Sequence, residues 1–441
     1  SVTMYLEEDS IFHPGLQIKF LAEERELSLL RIGDGSVQTP FFNTYHKVDM
    51  FFEALYWRMD QDFIRISMAK GSAENKAVFQ SANYYSEVHD ERLRGLDHVH
   101  PVTVMFNFLK ANDMPKKFKA IEFSKYMKTD PHQVRLLLIR MSIIGLISYE
   151  SETQTVTVME RLYDYYFARA GLKDFDVISF ESVINADNAR LSLKDYRLDL
   201  AGVARITLSD SQAVFIYPEN QEVELRKNRD FSFSGVIEAG KFGIFGKDFD
   251  FNYDLFKVTI TNVDSVKMAV KSFTKNEMGL QPLRFVRTVI EDLRGELLVD
   301  TPGNKSGVKS MSEYPRLISE RESYTYYDRP EIEGGVYKRD QVYFKLDPFT
   351  LDSLDNFQTE QIQLKGTFVS NIFPDLKEKL SVQKDYSLGF ELVTGEEGLP
   401  AYGGKGTFKD TLSLSHKGIR GGGQLEYLTS QMWSTDFRFY P

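Results

Sequence analysis

The sequence predicts a mainly β fold, with layered sheets of the β-sandwich or β-solenoid kind and one inserted all-α module. Three observations predict it. Phe and Tyr, which favour strands, number 34 and 23 among 441 residues. Runs that alternate apolar with polar residues recur over most of the chain. Only between His100 and Gly171 does the apolar period lengthen to helical spacing.

Residues 1–99 form the first β region. Leu16 to Phe20 alternates, Leu27 to Ile32 is a second short run, and Gly33-Asp34-Gly35-Ser36 is turn chemistry after it. Val48, Met50, Phe52, Ala54 and Tyr56 keep a period of two. Their neighbours Phe51, Leu55 and Trp57 are apolar as well, which predicts one strand covered on both faces. Phe63-Ile64-Arg65-Ile66 follows the polar break at Asp60-Gln61-Asp62.

Residues 100–171 are the helical module. Pro101 opens a helix with Val102, Met105, Phe106 and Leu109 at helical spacing, ending near Asn112. Ala120 to Lys128 is the second, with Ile121, Phe123 and Met127 as core contacts. For the third, Thr129 or Asp130 caps the start and Pro131 takes the first helical position. Val134, Leu137, Leu138, Met141 and Ile144 line one face before Gly145 ends it. Leu146 to Tyr149 and Thr155 to Val158 make a hairpin around Ser151-Glu152-Thr153, and Glu160 to Ala170 is a last helix. This order of helices and hairpin resembles a winged helix, a shape used in DNA reading, in protein docking and as a spacer.

Two further β regions follow, 172–281 and 282–441. Strand signals at Leu191-Ser192-Leu193, Val203 to Ile206, Ala213 to Tyr217 and Glu222 to Leu225 come about every 8 to 12 residues, as in sandwiches. Phe231 to Gly235, Lys241 to Phe245 and Phe249 to Tyr253 alternate aromatic with polar residues. The texture returns at Leu364 to Phe368, Lys405 to Phe408, Thr411 to Ser415 and Gln424 to Tyr427. Pro282 to Pro348 is richer in loops.

Composition narrows the function. A net charge of −10 and a pI near 5.4 repel nucleic acid and anionic surfaces unless a local patch reverses the field. The absence of cysteine removes disulfides, thiolate catalysis and zinc-thiolate sites. No apolar run approaches the ~20 residues that span a bilayer. Ser1-Val2-Thr3-Met4 reads as the interior of a longer protein whose targeting segment lies upstream.

No catalytic constellation and no cofactor motif stands out. On the third helix His132, Gln133, Arg135 and Arg140 could meet a DNA groove. Residues 101–170, however, hold only ten Lys or Arg against seven Asp or Glu, and the hairpin carries Glu150 and Glu152. His89, His98 and His100, with Asp90 and Asp97, have ligand chemistry without metal-site spacing; His13 and His46 are read as hydrogen-bonding residues. Tyr324, Tyr326, Asp328 and Arg329, with Tyr337, Arg339, Asp340 and Asp347 downstream, combine ring faces with hydroxyl-binding groups and form a candidate glycan or partner site. Asp328 and Asp340 are the carboxylates a glycosidase would pair. Gly403-Gly404-Lys405-Gly406 and Gly421-Gly422-Gly423 lack the features of a phosphate loop and are read as turns and bulges.

Leu225 to Phe233, Asp300 to Gly307, Tyr402 to Phe408 and Phe437 to Pro441 resemble segments of very long envelope proteins of the Bacteroidota. The resemblance implies export to the periplasm or cell surface and a larger parent. In that setting Asp-Ser/Thr-aliphatic triplets are O-glycosylation sites, here at Ser10, Ser265, Ser353 and Thr411. The expected function is a non-enzymatic β-rich scaffold that docks protein or glycan partners. A β-solenoid lipid carrier or bridge in envelope transport and a surface carbohydrate-binding or carbohydrate-active protein are the alternatives.

Overall fold

The computed structural model describes residues 1–31, 39–68, 75–94 and 99–441. The turn read at Gly33–Ser36 lies outside them. Strand accounts for 45% and helix for 14%, in several antiparallel sheets.

The first sheet has six strands, in the order Val2–Leu6, Asp9–His13, Phe41–Asn43, Val48–Phe51, Lys76–Ser81 and Ser179–Val183. The second is a long ribbon. Gln17–Leu21, Glu26–Leu30, Ala54–Arg58 and Phe63–Ser67 pair in succession, and Phe63–Ser67 then joins Ala189–Ser192. Leu198–Leu200 and Val223–Leu225 lead on to the hairpin Phe231–Ala239 and Phe242–Asn252. Lys257–Ile260, Gly295–Leu298, Arg316–Ser319 and Phe349–Leu351 complete it. A bulge between Phe233 and Gly235 bends the central hairpin, so its two ends pair with different neighbours.

The run from Val48 to Tyr56 is two strands and not one. It breaks at the fully buried Phe52, whose ring stacks on Phe41 at 4.1 Å. Val48–Phe51 belongs to the first sheet and Ala54–Arg58 to the ribbon. The change of sheet shifts the parity of the inward residues, which is why both parities are apolar. Lys241 to Phe245 and Phe249 to Tyr253 are conversely parts of one strand bent over the bulge.

The two sheets pack through aromatic rings. Phe231 lies opposite Phe251 and Phe233 opposite Phe249 in the ribbon, and Phe180 of the first sheet meets Phe231 edge-on at 5.2 Å. The same core extends into a third sheet. Its strands are Ser323–Tyr326, Val342–Leu346, Leu364–Ser370, Leu376–Val382, Leu388–Val393, Gly406–Ser415, Gly418–Tyr427 and Ser430–Arg438, with Leu399–Ala401 to one side. Pairing crosses residue 282, because Leu283–Phe285 adds to Ala269–Lys271.

The helical part is inserted between Lys76–Ser81 and Ser179–Val183, which are neighbours in the first sheet. It contains α1 (Glu87–Arg94), α2 (Pro101–Ala111), α3 (Ala120–Met127), α4 (Pro131–Ile143) and α5 (Glu160–Arg169). Lys117–Lys119, Thr155–Val158 and Ile147–Glu150 form a small sheet in that order. Helix α1 lies before residue 100, in what reads as a β region, because Glu-Val-His-Asp-Glu-Arg-Leu-Arg has no apolar stripe. Helix α4 is capped by the Asp130 carboxylate, which accepts from the His132 N–H at 2.8 Å. Gly145 ends it at φ +77°, and a Cβ there would lie 3.0 Å from Pro40, so the glycine serves both the turn and the docking onto the first sheet. This module has a separate core built from Val102, Met105, Phe123, Leu138, Met141 and Leu162.

Polar joints tie it to the body. Buried Arg161 on α5 ion-pairs with buried Asp49 and donates to Gln80 Oε1 at 2.6 Å, both in the first sheet. Burial pushes the Asp49 carboxyl up, and Arg161 opposes it. At the other side the fully buried Asp176 accepts from Ser81 Oγ and Tyr253 OH, both at 2.7 Å, with Arg229 Nη1 at 3.9 Å. Asp174 accepts from the Lys305 and Ser306 amides at 2.7 and 3.2 Å.

Removing Arg161 leaves Asp49 buried without its cation. Arg161→Ala is expected to destabilise by about 3–5 kcal/mol. Equilibrium denaturation measures the loss, and limited proteolysis should cut near residues 82–86 first. A loss below about 1 kcal/mol would show that the pair is dispensable.

Candidate docking surfaces

The tyrosine tract divides between two sides of the third sheet. Tyr324 and Tyr326 are two apart on one strand and face outward, half-buried, with rings stacked at 5.8 Å and 17°. Tyr343, directly opposite Tyr326 on the next strand, extends the strip, its centroid 6.2 Å from Tyr326 and 6.1 Å from Tyr324. Arg339 stacks its guanidinium over Tyr326 at 3.7 Å, ion-pairs with Glu291, and lies 3.6 Å from Asp328. Burial raises the Tyr326 phenol, with Asp292 adding to it. Arg329 Nη1 donates to the Arg287 carbonyl at 3.3 Å.

Two tyrosines of the same tract turn inward. Tyr327 is fully buried and donates to the Leu388 carbonyl at 3.1 Å, and burial pushes its phenol far up. The Tyr337 hydroxyl donates to the Phe439 carbonyl at 2.9 Å and accepts from the Ile419 amide at 3.0 Å. Burial holds it at about 12. Tyr337 thus fastens the segment at Phe439, and Tyr327 the strand that starts at Leu388. The strand stops at Tyr326, so alternation no longer governs Tyr327.

The strip is therefore a flat face and not a groove. Asp328 is held by Arg339 while Asp340 is exposed. Tyr343 was missed in the sequence tract; the alternating Val342-Tyr343-Phe344-Lys345-Leu346 carries its signal, but the register that sets it beside Tyr326 does not follow from sequence.

On the helical module, α4 points His132, Gln133, Arg135, Leu136 and Arg140 to solvent, and α3 exposes Ile121 and Tyr126. Ile121 is thus not a core contact. The hairpin tip is closed by Thr153 Oγ1 donating to Glu150 Oε2 at 2.6 Å and by Lys119 Nζ donating to the Thr153 carbonyl at 2.9 Å.

His100 is an internal fastener. Its Nδ1 accepts from the Val102 amide at 3.2 Å, capping α2, and its Nε2 lies 3.1 Å from Asp90 Oδ1. Arg169 donates to the other Asp90 oxygen at 3.0 Å. Burial works against the Asp90 anion, yet His100 and Arg169 together hold its carboxyl low. The side chain of His89 and residues Asp97 and His98 lie outside the described residues. Among the described residues no group of three His, Asp or Glu is placed to hold a metal ion, and no helix is long and apolar enough to cross a membrane.

The four triplet hydroxyls are all half-buried. Ser10 and Ser265 lie in strands, Thr411 Oγ1 donates to Asp410 at 2.9 Å, and Ser353 Oγ donates to the Ser312 carbonyl. Gly421–Gly423 form a bulge inside a strand, under the rings of Phe408 and Phe439, and Gly403–Gly404 make a turn. Open clefts of about 680 and 610 Å³ are lined by Lys365, Lys377, Lys379 and Glu391, and by Arg190, Glu224 and Asp248. The chain matches no family model, no curated protein and no solved structure.

Two histidines are sealed in the body. His13 accepts from the Gly15 amide at 3.1 Å through Nδ1 and donates through Nε2 to the Thr39 carbonyl at 2.9 Å. Asn43 Nδ2 donates to His46 Nδ1 at 2.8 Å. Burial lowers both to about 4. The unfolded chain, with histidine near 6.5, binds more protons between those values, so stability falls as pH drops from 6.5 to 4. Each contributes about 3 kcal/mol to that fall. Denaturation midpoints measured from pH 7 to pH 4.5 should show it, and His13→Gln with His46→Gln should flatten the slope; an unchanged slope would refute the assignment.

Proposed function

We propose that this chain is a non-enzymatic structural and interaction segment of a larger exported envelope protein. It acts as a β-rich scaffold that holds a winged-helix module in fixed orientation and docks protein or glycan partners. The observation that carries the reading is the attachment of the helical insert: two buried ion pairs are among the contacts that fasten it to the body, while α3 and α4 leave apolar side chains in water. A module fastened to the body, with apolar side chains left exposed on α3 and α4, is suited to presentation.

The winged-helix reading is supported by the order α2, strand, α3, α4, strand, strand, with the first strand pairing beside the last. Nucleic acid is not proposed as the partner, since Glu150 and Glu152 at the hairpin would oppose phosphate. Side chains of the continuous core fill the space between the sheets, which favours a scaffold over a lipid trough. Export, and modification at Ser10, Ser265, Ser353 and Thr411, belong to the same proposal; fractionation of producing cells tests the first and intact mass the second.

Protein docking is tested at Ile121, Tyr126 and Leu136. Crosslinking in intact cells should trap a defined partner, and Ile121→Asp with Leu136→Asp should reduce the trapped fraction about tenfold, since one or two buried apolar contacts carry that much. An unchanged yield would overturn docking at this surface.

A second reading, glycan binding, is favoured by the nearly parallel Tyr324 and Tyr326 rings beside Arg339 and Asp328. Flat sheet faces with ring stacks can seat extended polysaccharide. Tyr324→Ala with Tyr326→Ala should weaken binding to envelope polysaccharide about tenfold in calorimetry; binding that survives both changes would place the glycan elsewhere.

A further inference from the structure

Residues 273–285 are all exposed, and five of them are large and apolar: Phe273 at 46%, Met278 at 78%, Leu280 at 60%, Leu283 at 57% and Phe285 at 79%. Single exposed apolar residues are ordinary, but five on one projecting arm are not. The arm is well built. At its foot Leu283–Phe285 pairs with Ala269–Lys271, the Ser272 amide donates to the Pro282 carbonyl at 2.8 Å, and Phe273 stacks on Tyr386 at 5.3 Å. At its tip Asn276 Oδ1 accepts from the Met278 and Leu280 amides at 3.0 and 2.9 Å. The Asn276 amide donates to the Leu280 carbonyl at 2.8 Å, and the Gly279 amide to the Asn276 carbonyl at 2.9 Å.

We infer that this arm is a membrane-surface anchor, which inserts Met278, Leu280 and Phe285 among lipids bearing anionic headgroups. Two features select a lipid surface over a protein groove. At the tip the amides of Asn276, Met278, Gly279 and Leu280 all find partners within the turn, which lowers the cost of bringing that backbone to an apolar medium. Its charge is also reversed: Lys271, Lys275, Arg284 and Arg287 stand against Glu277 alone from 271 to 287, in a chain of net charge −10. Among the described residues Lys275, Arg284 and Arg287 form no ion pair, which leaves them free to meet lipid phosphate. Apolar side chains ringed by cations are the pattern of interfacial insertion. The inference needs only this arm and stands apart from the scaffold reading.

Flotation of the full chain tests it, with vesicles of phosphatidylcholine mixed with phosphatidylglycerol and with vesicles of phosphatidylcholine alone. The chain should float with the mixed vesicles, less so at high salt. Met278→Ser, Leu280→Ser and Phe285→Ser combined should lower the bound fraction about tenfold or more. Lys275→Glu with Arg284→Glu should remove the preference for the anionic lipid. In a Leu280→Trp variant, emission should shift to the blue on vesicles and be quenched by brominated acyl chains. No flotation at low salt would overturn the inference, as would flotation that survives the triple change. Self-association that is lost in the triple variant, with no flotation, would assign the arm to a second copy and equally overturn it.

Discussion

The pairing of Lys76–Ser81 with Ser179–Val183 is the constraint on which the rest of the molecule depends. Adjacent antiparallel strands lie about 5 Å apart, so everything between Ser81 and Ser179 must leave the sheet and return to the same place. A segment tied at both ends like this cannot borrow the body's core. It has to close around a hydrophobic centre of its own, as α2 to α5 do around Phe123, Leu138 and Leu162. Only its neck and one flank remain to touch the body.

Two of those contacts are buried ion pairs. Arg161 with Asp49, and Arg229 with Asp176, are nearly or fully buried, and Arg161, Asp176 and Arg229 also have neutral hydrogen-bond partners. Apolar contact between the units would adhere in several orientations, whereas a buried carboxylate that needs two or three donors accepts one arrangement. Such pairs contribute little net stability relative to apolar replacements, but losing one partner is expensive. They therefore act on orientation more than on affinity. Gly145 has a similar effect, because its left-handed turn brings the end of α4 against Pro40, where a Cβ would crowd the ring at 3.0 Å.

The helices were legible because their signals are local. Asp130-Pro131 marks the start of α4, Gly145 its end, and the apolar stripe between them needs no partner to be recognised. Helix α1 was hidden for the converse reason: with almost no apolar face, it is held by tertiary contacts such as the Asp90–His100–Arg169 cluster. Strand positions could be read, yet their assignment to sheets could not. The break at Phe52 and the bend after Phe233 follow from packing across residues far apart in the chain. In the tyrosine tract the residue types were found while orientation was only half recoverable, since Tyr324 and Tyr326 obey alternation and Tyr327 lies past the strand end. The arm at 273–285 left no mark, because periodicity reports which residues share a face and not whether anything covers it.

Strongly shifted titratable groups usually direct attention to chemistry. Here the largest shifts, at Tyr165, Tyr253, Tyr327, His13 and His46, fall on side chains sealed in the module's core, in the body or at the neck. Reactive use requires the opposite placement, with a perturbed group opening onto a cleft that a substrate can enter. His13 illustrates the difference, since both ring nitrogens are engaged by the Gly15 amide and the Thr39 carbonyl, and no lone pair is left for a substrate. In this chain burial of ionisable groups builds joints, and the joints fix where the exposed surfaces point. The apolar side chains that remain in water, on α3, α4 and the arm, therefore stand apart from the buried ionisable groups.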